Sequence, residues 1–506
     1  MRVTIASRRS DLARIQAYQV GKALQSAHPQ LEINYSFHES LGDKNQNDPL
    51  WQMPEKGVFT RDFRAGLFRG DFDLVVHSWK DLAIEDDPET EIAATLPRAD
   101  ARDLLLVRED RWAQIESTGA VSLLTSSPRR AYNLDSFLRN TLPARIHELS
   151  LSNVRGNVPT RIRKLFQTDV DGLVVAKAAI DRLLEAKQPD FAIMQAELRK
   201  ALSRCRWIVL PLSANPSAPG QGALALEIAR HRSDLRSLLA PINCTETFAM
   251  VARERAILAG YGGGCHQKIG VSILRRAFGD ITFLRGLTDD GIALDSCSLE
   301  LTQGKPEKAL RAELWPRDPS EARVFTSQAL AVSQPPAAMA LWIAKADALP
   351  ANWKIEPNQI VWASGVQTWK RLAQRSVWVN GCAESLGEHE SPRVETLVGS
   401  EIEWLKLTHA QGYQGELPML ATYRLVPRNG VPDLKGRKHF FWKSGSSFEY
   451  ALSQNPWLKQ MKHYCGPGNT QRILQKHGVE PIVFLDHAQW LEQVCKQPVA
   501  TDRSGS

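Results

Sequence analysis

The most informative residue for chemistry in this 506-residue chain is a single cysteine in a glycine-rich run. Cys265 follows three glycines in the run YGGGCHQKIG at 261–270. Glycines permit positive φ and leave the sulfur uncrowded, which favours an exposed loop and a covalent attachment through the thiol. A lone cysteine is also commonly a small buried apolar residue, and both interpretations remain open at this point.

Arginines are grouped in three short motifs that are interpreted as lying where strands end: ASRRSDLA at 6–13, TSSPRR at 125–130 and VRGNVPTRIRKL at 154–165. Ser10 and Ser127 are predicted helix N-caps, and Pro128 suits a first helical position. We expect the backbone N–H groups and arginines there to face a carboxylate or phosphate. Several strand ends then share one small-anion cleft, with a nucleic-acid surface or merely solvated arginines as alternatives.

A lysine and an aspartate follow a further apolar strand, in HSWKDLA at 77–83. Asp81 is placed to stabilise a bound cationic intermediate and to move protons, and Lys80 lies beside it. The plainer alternative is an ion pair on the surface. APGQGALALE at 218–227 has glycines without the spacing of a dinucleotide-binding turn, and it is interpreted as a domain hinge.

The elements that must position these groups alternate between strand and helix. Alternating or continuous apolar runs predict strands, and this pattern is typical of α/β domains with mostly parallel sheets. A helix is predicted from 223, opening a smaller α+β domain that ends near 305. The predicted strands are 3–6, 31–37, 72–77, 121–124, 171–176 and 207–212.

Composition limits the function classes. At roughly 100–200 residues each, three to five domains are expected. Seven scattered cysteines without a CxxC pair argue against a zinc site and a disulfide framework. The same cysteine pattern fits a reducing cytosol, so a cytoplasmic protein is expected. Charged residues come too early for a signal peptide, and no apolar run is long enough for a membrane span. The net charge of +7 suits an anionic small molecule or nucleic acid.

The chain beyond residue 325 is richer in tryptophan and contains a faint internal repeat. Residues 360–387 and 439–478 each read as a strand that ends in Ser-Gly, a helix, a second strand, and a glycine turn into another helix. Two similar α/β halves are therefore predicted.

Taken together, the motifs of the first 300 residues resemble hydroxymethylbilane synthase, also called porphobilinogen deaminase. The order of nine motifs carries the resemblance: ASRRSDLA, LGDK, EKGVFTRD, HSWKD, TSSPRR, VRGNVPTRIRKL, APGQGALALE, RERAIL and GGGCHQKIG. The resemblance implies three α/β domains, the first two like periplasmic binding proteins. It also implies that porphobilinogen is polymerised to hydroxymethylbilane in tetrapyrrole synthesis, without metal or nucleotide.

The resemblance assigns roles to individual residues. Cys265 corresponds to the cysteine that holds a dipyrromethane cofactor, and Asp81 to the catalytic aspartate, with Lys80 in the same cleft. Phe59 matches an aromatic residue of the loop that covers the site. The residues that correspond to cofactor contacts are Lys80, Asp81, Ser127, Arg129, Arg130 and Arg155. Those assigned to substrate are Arg8, Ser10, Phe59 and Arg161.

The chain from residue 323 to 500 is similar to uroporphyrinogen-III synthase, which implies closure of hydroxymethylbilane to uroporphyrinogen III. SVWVNGCAESLG at 376–387 and FFWKSGSSFEYAL at 440–452 carry this resemblance. Tyr423 matches a recurrent tyrosine and is assigned a catalytic role. Ser364, Ser444 and Thr470 are assigned to substrate.

The sequence therefore predicts a bifunctional, monomeric enzyme that binds neither nucleic acid nor membrane. One alternative keeps only the synthase, with an inactive scaffold behind it, and another is a binding module for a small anion. The predicted domains are 1–98 with 198–217, then 99–197, then 218–305 with the cofactor cysteine, a linker at 306–322, and a two-lobed region at 323–500.

Overall fold

The computed structural model describes residues 1–39, 61–263, 267–336, 339–412, 415–428 and 433–496. The chain divides into a first unit of Met1–Arg275, Ile281–Ser298 and Arg393–Glu401 and a second unit made of the remainder. The predicted alternation of strands and helices is confirmed, but the sheets of the first unit are mixed rather than mostly parallel. Within the described ranges, no helix is long and apolar enough to cross a membrane.

Two five-stranded sheets form the larger part of the first unit. Their elements, with the helices that pack on them, are β1 (Arg2–Arg8), α1 (Asp11–Ala27), β2 (Glu32–His38), α2 (Arg61–Arg69), β3 (Leu74–Ser78), β4 (Thr90–Ala94), β5 (Asp103–Arg108), α3 (Trp112–Thr118), β6 (Ala120–Leu124), α4 (Pro128–Thr141), β7 (Glu148–Ser152), α5 (Val158–Gln167), β8 (Gly172–Ala176), α6 (Lys177–Glu185), α7 (Ala192–Leu202), β9 (Cys205–Leu210), β10 (Leu224–Ala229) and α8 (Ser233–Leu239).

The first sheet has the order β2-β1-β3-β10-β4. β1 pairs in parallel with β2 and β3, so these three strands end at one edge of the sheet. The helix predicted from 223 is wrong in its first part, which is the strand β10 that runs antiparallel between β3 and β4, whereas its last part is confirmed as α8. All six residues of β10 are buried, and two neighbouring strands satisfy its backbone, which favours a strand over a helix there.

The second sheet has the order β7-β6-β8-β5-β9, and β6 is parallel to both β7 and β8. β9 lies in the segment 198–217, which the sequence assigns to the first domain, but it pairs with β5 in this second sheet. The chain thus crosses between the two sheets once before Asp103 and again between Leu210 and Leu224. These two crossings bring the motif-bearing edges of both sheets together.

A smaller α+β piece follows in the chain. It consists of α9 (Thr245–Ala259) and a three-stranded sheet of β11 (Gly270–Arg276), β12 (Gly279–Leu287) and β13 (Ala293–Leu301). Leu258, Ile269 and Val271 form a buried cluster there, against which the partly buried Ile84 packs. This contact fixes the piece beside the segment that follows HSWKD.

The second unit contains two further sheets. Its elements are β14 (Leu314–Trp315), β15 (Phe325–Ala329), β16 (Ala340–Ile343), β17 (Val361–Ala363), α10 (Val366–Ala373), β18 (Gly381–Cys382), β19 (Trp404–His409), β20 (Met419–Pro427), β21 (His439–Trp442), α12 (Gly445–Gln454), β22 (Lys462–Cys465), α13 (Asn469–Lys476), β23 (Ile482–Val483) and α14 (His487–Val494), while α11 (Glu395–Val398) belongs to the first unit.

The sheets of the second unit have the orders β15-β20-β19-β16-β17-β18 and β14-β21-β22-β23. The predicted repeat is complete in the second sheet, where β21, α12, β22 and α13 follow in turn. In the first sheet, β18 runs into turns instead of a helix. β14 falls inside the predicted linker at 306–322, yet it pairs with β21, since its two apolar residues are fully buried there.

Candidate functional site

A short 3-10 turn after β3 carries the lysine and the aspartate of HSWKD. Trp79 is buried against Leu82 and Val251 and anchors this turn, Trp79–Asp81. The anchor leaves Asp81 exposed. Among the described residues, no hydrogen bond or ion pair engages its carboxylate. A carboxylate at a sheet edge with no internal partner is available to a ligand.

Lys80 lies half-buried beside that carboxylate. Its Nζ donates a hydrogen bond to Oε1 of Gln221 at 3.1 Å. Burial lowers the pKa of Lys80 to about 8, and repulsion from Arg130 and Arg129 acts in the same direction, whereas Asp81 and Asp103 oppose it. The ammonium group is therefore mostly charged at neutral pH, although its pKa lies close to neutrality.

The TSSPRR motif forms the N-terminus of α4 as the sequence predicts. Ser127 has extended backbone and accepts a hydrogen bond from the backbone N–H of Arg130, and Pro128 occupies the first turn. β6 and its parallel neighbour β7 end beside each other, so this motif and VRGNVPTRIRKL leave the same edge of the second sheet. Their predicted convergence at one edge is thus what the fold produces.

The guanidinium groups of Arg129 and Arg130 are buried and turn towards Asp103 at the start of β5. Arg130 donates from Nε and Nη2 to the two carboxylate oxygens of Asp103 at 2.9 and 2.7 Å, and Arg129 donates from Nη2 at 3.0 Å. Amide nitrogens of Asn215 and Gln221 donate to the same carboxylate at 2.8 Å each. Both arginines thus have an internal partner, and their assignment as cofactor contacts stays a prediction.

Asp103 is fully buried, and burial by itself would favour its neutral form. Arg130 and Arg129 outweigh that effect and hold the pKa of this carboxyl far below its ordinary range. The ionised group is stabilised by five hydrogen bonds, of which three come from positive charges. Two guanidinium groups around one carboxylate still leave a net positive charge at this edge.

We expect Asp103→Asn to lower the free energy of unfolding by about 3–5 kcal/mol, because it leaves two buried guanidinium groups without a counter-charge. Urea unfolding at pH 7 measures the loss. The folded-state pKa is depressed, so the contribution is full above the unfolded pKa near 4 and falls as pH drops below it.

Asp169→Asn is the matched control, since Asp169 pairs with Arg111 on the surface with 89% of its side chain exposed. It is expected to change stability by less than about 1 kcal/mol. Equal losses in the free energy of unfolding for the two variants would contradict the stabilising role of the Asp103 carboxylate.

Arg161 lies on α5 and is held by the loop before that helix and by the loop after β6. Its Nε donates to the carbonyl oxygen of Gly156 at 2.7 Å, and its Nη1 donates to Oγ of Ser126 at 2.9 Å. Burial and repulsion from Arg130 lower the pKa of Arg161 to about 10, with Asp81 opposing and Arg155 adding to the shift. Gly156 has φ of 108°, and a Cβ there would lie 2.7 Å from Thr160, so the loop requires glycine.

Arg8 is the last residue of β1 and Ser10 comes two residues later, at the edge where β3 also ends. Ser10 occupies the N-cap position of α1 with extended backbone, but the predicted cap is wrong in one respect, because its hydroxyl makes no side-chain cap hydrogen bond. The hydroxyl group is not committed to the helix end. Arg8 is partly buried at the end of the strand.

Cys265 and Phe59 lie outside the described residues, so their predicted roles remain predictions. The chain on either side of 264–266 is nevertheless placed. Gly262 and Gly263 have φ of 91° and 63°, as glycine before the cysteine predicts. A Cβ on Gly263 would lie 3.2 Å from Ile84, three residues after Asp81. The segment that carries the cysteine therefore begins beside the Asp81 turn.

Three residues of this site are missing from the sequence prediction: Asp103, Asn215 and Gln221. Asp103 precedes the apolar run LLLV, and Gln221 stands between two glycines. A charged residue at the start of a buried strand and a polar residue in a glycine turn are both signals of a special environment. Neither signal identifies the partner, which comes from another part of the chain.

In the second unit, a cavity of about 140 Å³ lies between the two sheets. Ser444 and Thr470 line it, together with Lys406, His409 and Asn469. Ser444 also caps α12 by accepting a hydrogen bond from the backbone N–H of Ser447. The structure therefore brings two of the four predicted tail residues to one cavity.

The other two predicted residues lie elsewhere in the second unit. Ser364 donates to the carbonyl oxygen of Ala344 at 2.8 Å and is not part of the cavity lining. Tyr423 is buried, and its ring lies 5.7 Å from the ring of His409. Burial raises the pKa of Tyr423, which keeps its hydroxyl protonated.

The groups at the two sheet edges of the first unit have complementary chemistry. Lysine and arginine cations at the strand ends suit the carboxylates of an anionic ligand, and bidentate arginine contacts hold such groups in a defined orientation. The exposed carboxylate of Asp81 suits N–H donors or a developing positive charge. A ligand with both acid groups and N–H groups satisfies both sets.

Comparison with known proteins points to one family. The model described as "Porphobilinogen deaminase, dipyromethane cofactor binding domain" matches residues 3–237. A porphobilinogen deaminase of Clostridium novyi (strain NT) is 32% identical over 270 residues, which are 53% of this chain and 83% of the relative. One of Roseiflexus sp. (strain RS-1) is 34% identical over 289 residues, 56% of this chain and 84% of the relative.

Among solved structures, the periplasmic sulfonate-binding protein SsuA of Methylobacillus flagellatus KT is similar to this chain. The identity is 12%, the match covers 51% of this chain and 69% of that chain, and the TM-score is 0.26. A TM-score of this size does not establish a shared fold.

Proposed function

The chain belongs to the porphobilinogen deaminase family, and we propose that its first unit condenses four porphobilinogen molecules head to tail into hydroxymethylbilane, with loss of four ammonia molecules and addition of one water, which supplies the terminal hydroxyl group. The observation that carries the proposal is the Asp81 carboxylate, which lies exposed beside Lys80 and has no hydrogen-bond or ion-pair partner among the residues that the structure describes. Loss of ammonia leaves a positive charge on the methylene-pyrrole, and an ionised carboxylate next to it lowers the energy of that charge.

The family domain matched by the chain is the one that binds the dipyrromethane cofactor. The residues present fit this group, because the Asp81 carboxylate could accept hydrogen bonds from pyrrole N–H groups, and Lys80, Arg155 and Arg161 would suit acetate and propionate side chains. Bound, the cofactor supplies the pyrrole carbon to which the first substrate is joined. We propose Cys265 as the attachment point, which its position after the glycine turn beside Ile84 supports.

The cations at the sheet edges have a second task in this proposal. Each added pyrrole brings two carboxylates, so a growing chain accumulates negative charge. Arg8 lies at the edge of the first sheet, at the end of β1, whereas Arg155 and Arg161 follow β7 at the edge of the second sheet. Distributing the cations over two sheets allows successive rings to be held while Asp81 stays at the reacting one.

The test is to incubate the purified chain with porphobilinogen and to measure ammonia and hydroxymethylbilane. Release of one ammonia for each porphobilinogen consumed is expected. Binding of porphobilinogen without ammonia release would favour the alternative of a small-anion binding module.

For the second unit, we propose closure of hydroxymethylbilane to uroporphyrinogen III. Its support is the cavity between the two sheets, lined by Ser444 and Thr470 with Lys406 and His409. Tyr423, protonated and next to His409, is the proposed proton donor to the departing hydroxyl group. Joining both activities in one chain raises the effective concentration of the second site for a product that cyclises spontaneously.

Thr470→Trp is expected to change the product from isomer III to isomer I, because an indole fills much of a 140 Å³ cavity. The uroporphyrin isomers formed from porphobilinogen are separated after oxidation. Total tetrapyrrole is expected to stay unchanged, because the spontaneous closure needs no enzyme. Lys476→Trp, an exposed position on the same helix, is the control and is expected to retain isomer III. Isomer I from the unaltered chain would mean that the second unit is only a scaffold.

A further inference from the structure

Gln221 lies on the second crossing between the two five-stranded sheets, and its backbone is fixed on both sides. Gly220 and Gly222 have φ of 76° and 87°. A Cβ on Gly220 would lie 3.3 Å from the backbone nitrogen of Lys80, and one on Gly222 would lie 2.5 Å from the carbonyl oxygen of Ala99. The flanking glycines thus allow the backbone to pass closely between the turn Trp79–Asp81 and the first crossing.

The side-chain amide of Gln221 is 1% exposed and fully used. Its Nε2 donates to the carbonyl oxygen of Ala101 at 2.7 Å and to Oδ1 of Asp103 at 2.8 Å. These two acceptors fix which way the amide points, because only the nitrogen can donate to them. Its Oε1 is consequently directed to Lys80, whose Nζ lies 3.1 Å away.

We infer that Gln221 is a positioning residue that holds the ammonium group of Lys80 in a fixed position relative to the arginine-bearing edge of the second sheet. Hydrogen bonds run without a gap from Arg130 through Asp103 and Gln221 to Lys80. This path joins the ends of two different sheets through the crossing that connects them. Its catalytic consequence rests on the function proposed above for the first unit.

The charges that face Lys80 come from several elements. Asp81 follows it in the same turn, Asp103 begins β5, and Arg129 and Arg130 begin α4. Burial brings the pKa of Lys80 down to about 8, so the charged and neutral forms of its amine are both accessible near neutral pH. A neutral acceptor at Gln221 favours the charged form without adding a charge to the cluster.

Two substitutions separate positioning from a merely structural role. Gln221→Met keeps the length of the side chain but removes the acceptor, so the pKa of Lys80 is expected to fall by about one unit. Gln221→Glu supplies a charged acceptor, so the pKa is expected to rise by a similar amount. The pKa is read by NMR on protein whose lysines carry ¹³C-methyl groups, with the Lys80 signal assigned from Lys80→Arg.

The alkaline limb of the pH profile of turnover is expected to move with the NMR value in both variants. Gln16→Met is the matched control, since Gln16 is also buried in the first unit but bonds to Ser78. It is expected to leave the Lys80 titration unchanged.

An unchanged Lys80 titration in both Gln221 variants would overturn the inference. So would shifts in the same direction, or loss of folded protein in both, which would assign Gln221 to the fold alone. Because the titration is read on the protein itself, opposite shifts without any formation of hydroxymethylbilane would uphold the positioning and refute the proposed function.

Discussion

A Cys265→Ser chain is expected to carry no covalently bound pyrrole and to form no hydroxymethylbilane. Attachment through a thioether requires a thiolate as nucleophile, and a serine hydroxyl is much weaker at neutral pH. Intact mass measures the attachment directly. The unaltered chain is expected to exceed its sequence mass by two linked pyrrole units, and the variant to match its sequence mass.

Cys297→Ser is the control for this experiment, because Cys297 is an exposed cysteine of the first unit. Its mass excess and activity are expected to equal those of the unaltered chain. Two results would count against Cys265 as the attachment point: an active unaltered chain with no excess mass, or an excess that persists in Cys265→Ser.

The local parts of the site are predictable from sequence. TSSPRR directly follows β6 and contains a serine cap, a proline and two arginines. Each of these residues acts on its near neighbours along the chain, so the motif specifies the start of α4. The same holds for HSWKD at the end of β3 and for Gly262 and Gly263, whose positive φ the structure confirms.

What the sequence does not show is which side chain meets which across the fold. Asp103 and Arg130 are 27 residues apart and Asp103 and Gln221 are 118 apart, so no spacing rule relates them. From sequence, Arg129 and Arg130 appear available to a ligand. Buried charges are stable only when paired, and the partner is supplied by β5, a different strand of the same sheet.

The strand β10 illustrates the same limit for secondary structure. LALEIARH contains apolar residues at spacings that suit a helix, and leucine and alanine are good helix formers. Pairing with both β3 and β4 overrides that preference, because it satisfies the backbone on both edges and buries all six side chains. The membership of β9 in the second sheet has the same cause, since only its partner β5 reveals it.

Asp81→Asn is expected to reduce turnover by about 10²–10⁴-fold while leaving the covalent pyrrole excess in place. The amide has nearly the shape of the carboxylate and still accepts hydrogen bonds from pyrrole N–H groups, so binding is largely kept. What it lacks is the negative charge that stabilises the cation formed when ammonia leaves. A large fall in kcat with a small change in KM is the corresponding kinetic result.

Asp71→Asn is the matched control, because Asp71 is an exposed aspartate of the same unit that pairs only with the neighbouring Arg69 among the described residues. It is expected to retain full turnover. Measuring intact mass beside kcat separates two failures that look alike in an activity assay. A variant that has lost both the excess mass and the activity would place Asp81 in assembly of the cofactor, whereas one that keeps the mass and loses turnover places its charge at the reacting ring. Full activity in Asp81→Asn would remove the carboxylate from the mechanism, and with it the observation on which the proposed function of the first unit depends.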